Sequence, residues 1–210
     1  DNYELLMESG LYQELVDKKL LIPHTEVKLE NNPINSYKII EPEKIRFISY
    51  PYEWCFDQLK EAGAVTKKKK KISLDYGMSL KDASSFNIQF HKGKPVLIDT
   101  MSFEKYRENA PWIAYKQFCQ HFLAPLSIMR YKGMHWNKLL WGHLDGIPLV
   151  LARKILPKKS YLNYHILFHI HLHTITQKKY SKKKDVMPDK KQGKDKHNLL
   201  GGLRDRKKLE

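Results

Sequence analysis

Ser79-Leu80-Lys81-Asp82-Ala83-Ser84-Ser85-Phe86-Asn87-Ile88-Gln89-Phe90 runs into His91-Lys92-Gly93-Lys94 and then Pro95-Val96-Leu97-Ile98-Asp99-Thr100. Two short apolar runs, Ile88–Phe90 and Val96–Ile98, flank a Gly-containing turn, which predicts a β-hairpin. Asp82 and Asn87 lie in the loop before the first strand, and Asp99 ends the second. The hairpin can bring the three side chains to one end of the pair. Asp, Asn and Asp on loops beside a rigid hairpin suit a divalent cation and a phosphate ester. The plainer reading is turn capping and hairpin closure, roles in which Asp and Asn are common.

Working outward, Phe56, Leu59, Ala62, Val65, Ile72 and Tyr76 predict a long helix over about 56–76, stopped by Gly77. The stripe wants an apolar residue near Lys69, where the sequence has the run Lys67–Lys71. That run reads as a solvated helix face whose lysine stems cover apolar surface. Upstream, Tyr3, Leu6, Met7, Leu11, Leu15 and Val16 have helical spacing, and Gly10 predicts a kink or a break into two helices. Strands are predicted near Glu26–Leu29, at Tyr37–Ile40 and at Ile45–Tyr50, with Pro51–Trp54 breaking the last.

A helix, then Asp-x4-Asn, then a hairpin ending in apolar-apolar-Asp is the order used by phosphotransferases of the protein-kinase-like fold. There, one Asp positions or deprotonates the acceptor hydroxyl, and an Asn and a later Asp hold the metal that bridges nucleotide phosphates. Asp82 takes the catalytic place, and Asn87 and Asp99 the metal-binding places, with Mg-ATP as the implied cofactor. Strand 45–50 leads through Pro51–Trp54 into a hinge for adenine. The expected fold class is therefore α+β and protein-kinase-like, a helical C-lobe with a partial N-terminal α/β layer. Three departures stand beside this. Leu80 occupies the position of the usual His, Thr100 follows Asp99 where a Phe-Gly pair is usual, and neither a Gly-rich phosphate loop nor an Ala-x-Lys strand precedes the first helix. A degenerate site and an active one both remain open.

Longer motifs carry a resemblance. They include Leu6-Met7-Glu8-Ser9-Gly10-Leu11-Tyr12, Phe47-Ile48-Ser49-Tyr50-Pro51-Tyr52-Glu53-Trp54, Ile98-Asp99-Thr100-Met101-Ser102-Phe103-Glu104 and Gln117-Phe118-Cys119-Gln120-His121-Phe122-Leu123-Ala124-Pro125-Leu126. Over roughly residues 3–180 the chain resembles the N-terminal region of bacterial class I SAM-dependent methyltransferase family proteins, nodulation-related ones among them. The resemblance implies methyl transfer by the parent protein through a domain that follows this region. No Gly-x-Gly-x-Gly turn for SAM occurs in the sequence. SAM thus enters only through a domain not present here, and the chain reads as an accessory module and a piece of a longer polypeptide. A small-molecule or glycan-like substrate and the downstream methyltransferase domain are the implied partners.

In the second half, Pro111-Trp112 opens a helix with Ile113, Tyr115, Phe118, Phe122, Leu126 and Met129 on one face, kinked or divided at Pro125. Phe103–Tyr106 reads as a loop. Short helices are expected around Trp136–Leu144 and over Leu149–Leu156. His165, His169 and His173 share a helix face, while His169, His171 and His173 would share a strand face. Either set could hold zinc, but packed or surface histidines are the better expectation, and His121 reads as a satisfied C-lobe histidine rather than a ligand.

The 210 residues carry 38 Lys+Arg against 23 Asp+Glu, a net charge of +15. Residues 1–150 hold 21 basic and 18 acidic side chains, and residues 151–210 hold 17 and 5, so most of the excess lies at the end of the chain. Three parts are expected: an α/β layer over 1–52, a C-lobe-like region over 53–176, and a basic tail or linker over 177–210. The tail gives a third functional reading, a basic adaptor for nucleic acid or anionic membrane. Two cysteines, Cys55 and Cys119, make neither a disulfide scaffold nor a zinc motif and point to a reducing compartment, the cytoplasm. No apolar stretch is long enough for a membrane span.

Overall fold

The computed structural model describes residues 1–28 and 36–176. The basic tail expected over 177–210 lies outside the described residues. Asp1–Thr174 forms one compact unit.

Two short helices open the chain, α1 (Asn2–Glu8) and α2 (Leu11–Asp17). Asp1 caps α1, its carboxylate accepting from the Tyr3 amide at 2.7 Å. Gly10 has φ +84° and divides the two helices, a conformation that glycine adopts without a Cβ penalty. Leu6, Leu11 and Leu15 are buried. The next residues leave the helix and run beside the later hairpin, the Ile22 amide donating to Leu97 and the Leu97 amide to Leu20, each at 2.9 Å.

Strands β1 (His24–Glu26) and β2 (Ile40–Pro42) pair antiparallel, with Thr25 opposite Glu41. Both lie a few residues from their expected places. The strand expected over Ile45–Tyr50 does not form. Phe47 is 77% exposed and Ile48 49%, so this apolar run has no layer to cover it, and a strand without a partner leaves its backbone to water. The chain beyond is fixed by Trp54, whose indole donates to Ser49 Oγ at 2.9 Å and meets Phe90 edge-on. Asn137 locks the same turn by donating to the carbonyls of Tyr52 and Trp54 at 2.8 and 2.9 Å.

The long helix α3 spans Phe56–Asp75. Its buried face is Leu59, Ala62, Gly63, Thr66, Lys69 and Ser73. Lys69 corrects the expectation of a wholly solvated lysine run: it is completely buried, while Lys67, Lys68 and Lys71 are exposed. Helical phase decides this, because position 69 falls on the stripe set by 59, 62, 66 and 73.

Strand β3 (Met78–Leu80) follows, then the hairpin β4 (Ile88–His91) and β5 (Lys94–Leu97), and β6 (Phe103–Lys105) returns to pair antiparallel with β3. The hairpin agrees with its sequence signal. Strand β6 replaces the loop expected at Phe103, and its partner lies more than twenty residues away, beyond local patterning. The Lys105 amide also donates to Asn2 Oδ1 at 3.0 Å, tying β6 to α1.

A continuous helical run covers α4 (Tyr115–Phe118), a wide π-type segment over Cys119–Leu123, and α5 (Ala124–Lys132). Pro125 has no N–H to give to a carbonyl one turn back, and the widened turn before it accommodates that loss. Beyond a 3₁₀ segment, Met134–Leu140, come α6 (Leu149–Ile155) and α7 (Tyr164–Ile166), the latter widening into a second π-type segment over Leu167–Leu172. Among the described residues, no helix is long and apolar enough to cross a membrane.

Candidate functional site

The loop between β3 and β4 and the end of β5 hold Asp82, Asn87 and Asp99. The hairpin register places Ile88 opposite Leu97, so Asn87 and Ile98 meet at its open end, where the Ile98 amide donates to the Asn87 carbonyl at 2.9 Å. The side chains follow the backbone: Asn87 Nδ2 lies 3.5 Å from Asp99 Oδ2. Asp99 also caps the short turn after it, with Oδ1 accepting from the Met101 amide at 2.8 Å and Oδ2 from the Ser102 hydroxyl at 2.7 Å. The carboxylate expected to hold a metal is thus used in capping through both of its oxygens.

Asp82 is held separately. Its Oδ1 accepts from the Ser84 amide at 2.8 Å and from Gln117 Nε2 at 2.9 Å. Gln117 in turn accepts from the Ala83 amide at 2.7 Å. One amide side chain on α4 therefore clasps both the carboxylate and the backbone of the loop. Asn87 and Asp99 are in contact, whereas Asp82 is held by Ser84 and Gln117 instead. All three are partly exposed.

The sequence did not single out Gln117 as part of this site, because it lies 35 positions from Asp82 with no periodic signal linking the two. His121, expected to be a hydrogen-bonded histidine rather than a ligand, is 1% exposed, with Nδ1 3.0 Å from Ser85 Oγ. Burial pushes its pKa down to about 4, against the opposing pull of Asp82 and Asp145. His121 is therefore neutral, and it fixes the middle of the Asp82–Asn87 loop. Replacing Gln117 with Leu should cost about 1–2 kcal/mol, since it removes a hydrogen bond to a carboxylate and strands the Ala83 amide. Hydrogen exchange at Ala83 checks this: exchange should accelerate there while the α3 core stays protected.

Among the described residues, no three His, Cys, Asp or Glu side chains gather where they could hold a metal ion. His165 and His169 stack with ring centroids 6.0 Å apart, and Tyr115 hydrogen-bonds His169 Nδ1 and meets His173 edge-on. His169 and His173 are half-buried, and His165 is exposed. Cys55 and Cys119 are both free thiols.

Fold and site together define an α+β protein with an acid–amide–acid loop mounted on a β-hairpin and braced by a helix. Among known proteins, it is similar to the nodulation protein NoeA of Rhizobium meliloti (strain 1021), 28% identical over 170 residues. That match takes in 80% of this chain and 36% of the relative, so the chain spans about a third of the length of the curated protein it matches. No family model matches the sequence, and no solved structure matches the fold.

Proposed function

We propose that this chain is a kinase-like accessory module that binds a magnesium–nucleotide complex at the 82–99 loop within a larger protein of the SAM-dependent methyltransferase family. The observation that carries the reading is the contact between Asn87 and Asp99 at the open end of the hairpin. One carboxylate and one amide oxygen form the kind of sparse donor set that magnesium shares with phosphate oxygens and water. Asn87 can present that oxygen by a half-turn of its amide, whose nitrogen now faces Asp99. When bound, the metal would neutralise phosphate charge. Asn87 and Asp99 would hold it, and the Gln117 clasp would keep Asp82 directed. SAM would be bound by a domain outside this sequence. The similarity to a bacterial nodulation protein supports a nodulation-related parent.

A second reading, active phosphoryl transfer, is favoured by one detail. Both hydrogen bonds to Asp82 fall on Oδ1, and Oδ2 takes none from a described residue. That leaves an oxygen for an acceptor hydroxyl.

Thermal unfolding with Mg-ATP tests nucleotide binding. At a hundredfold excess over Kd, a ligand stabilises by about 2.7 kcal/mol, or roughly 5–10 °C in a domain of this size. The shift should need magnesium and should vanish in Asp99→Asn, which keeps an oxygen to cap Met101. No shift in either this chain or the full-length parent would overturn the proposal. Transfer of phosphate that survives Asp82→Asn would overturn the second reading.

A further inference from the structure

The outer face of α3 borders a groove of about 530 Å³ that is separate from the Asp82 loop. Lys60, Gly63, Ala64 and Lys67, spaced by three, one and three residues, line it along one side of the helix. Phe118 and Phe122 from the α4–α5 run form apolar surface opposite, and His165 and His169 from the last described helix close the third side. Gly63 makes the close packing here possible, since a Cβ at that position would sit 3.3 Å from the Phe122 side chain. Both histidine-side and phenylalanine-side helices widen into π-type turns at the groove, Cys119–Leu123 and Leu167–Leu172. Such turns occur often at functional sites.

The polarity of the rim is one-sided. Lys60, Lys67, His165 and His169 all line the groove, and no acidic residue does so among the described residues. No carboxylate of a described residue pairs with Lys60 or Lys67. His169 is held through Nδ1 by the Tyr115 hydroxyl, which fixes the ring at the groove. Its protonation is opposed by burial first, and then by the neighbouring His165, His173 and Lys67. An apolar floor under an uncompensated cationic rim is complementary to a molecule with an apolar body and an anionic head.

We propose that this groove binds a single-chain anionic amphiphile, its aliphatic chain lying along Phe118 and Phe122 and its carboxylate or phosphate head between Lys67 and His169. Lys60 extends the positive rim one turn earlier on α3. A neutral chain of equal length would gain the apolar contacts without the ion pairing, and an acidic partner lacking a chain would gain only the reverse.

Calorimetric titration of the full chain with decanoate, decyl phosphate and decanol, each below its aggregation limit, tests this. At least one of the two anions should bind saturably with one site per chain, about tenfold or more tighter than decanol. The tighter anion identifies the preferred head. Lys67→Glu should weaken that anion about tenfold and leave decanol nearly unchanged. Ala64→Trp, which fills the groove from an exposed position, should abolish binding of all three. If Lys67→Glu fails to fold by circular dichroism, Lys60→Glu supplies the same charge reversal. Absence of saturable anion binding, equal affinity for decanol, or full binding by Ala64→Trp would overturn the proposal.

Discussion

Replacing Lys69 with Met should stabilise the protein at neutral pH by about 3 kcal/mol or more, raising Tm by roughly 10 °C. Lys69 is 0% exposed, and its Nζ has no hydrogen-bond partner among the described residues. Burial alone pulls its pKa down to about 7 from an ordinary 10.5. Met has similar length and good helix propensity, and it fills the same space without a charge to desolvate. The pH dependence follows from the direction of the shift. Below about 7 the amine is charged in both folded and unfolded chains, and the folded state bears the full cost of burying it. Between about 7 and 10.5 only the unfolded chain keeps the proton, so raising the pH favours folding. The whole span corresponds to at most about 5 kcal/mol. Denaturant unfolding from pH 6 to 10 should therefore show wild-type stability rising relative to Lys69→Met, with the two curves converging near the top of that range. A variant no more stable than wild type at pH 6, or two parallel curves, would show that the ammonium is compensated.

Gly146→Ala should destabilise the protein by about 2–4 kcal/mol and loosen the Asp82–Asn87 loop. Gly146 has φ +88°, and a Cβ there would lie 2.7 Å from Gln120 Cβ, 2.9 Å from His121 Cδ2 and 3.0 Å from the Gln120 carbonyl carbon. The conformation costs about 1 kcal/mol or more for a residue with a side chain, and the clash adds to it because one of the crowded atoms is backbone. The neighbouring Ile147 amide donates to the Gln120 carbonyl at 3.0 Å, so this turn is pinned against the π-type segment. His121 sits in that segment and holds Ser85, so the displacement is passed to the loop carrying the candidate site. Chemical denaturation measures the first effect. For the second, the His121 imidazole signals in NMR should move toward those of an ordinary solvated histidine, with a pKa rising from about 4. A His121 that still titrates at its wild-type pH in a destabilised variant would separate the turn from the loop.

Several elements were legible because their signals are local. The break between α1 and α2 is a single glycine at φ +84°, and α3 matches its expected bounds almost residue for residue. The hairpin β4–β5 follows from two short apolar runs around Lys92-Gly93, both of which take positive φ. Ile45–Tyr50 misled because β-propensity needs a neighbouring strand to become a strand, and here Ser49 and Tyr50 instead serve the Trp54 turn through Trp54 Nε1, Gln89 and Glu53. Within the site, Asn87 and Asp99 were found because the hairpin that joins them is short. Gln117 and His121 were not tied to it, because their partners lie 35 and 36 residues away.

By itself, the sequence determined the periodic helices, the glycine breaks, the hairpin and the candidacy of Asp82, Asn87 and Asp99. Each depends on backbone preferences and spacings within a few residues. Only the tertiary structure decided that β6 returns to β3, that Gln117 clasps Asp82, that Lys69 is fully buried, and that a basic-rimmed apolar groove opens beside α3. Those outcomes depend on which distant surfaces meet. The free energy of burying apolar stripes exceeds the preference of one lysine for water, so helical phase overrode residue identity at position 69.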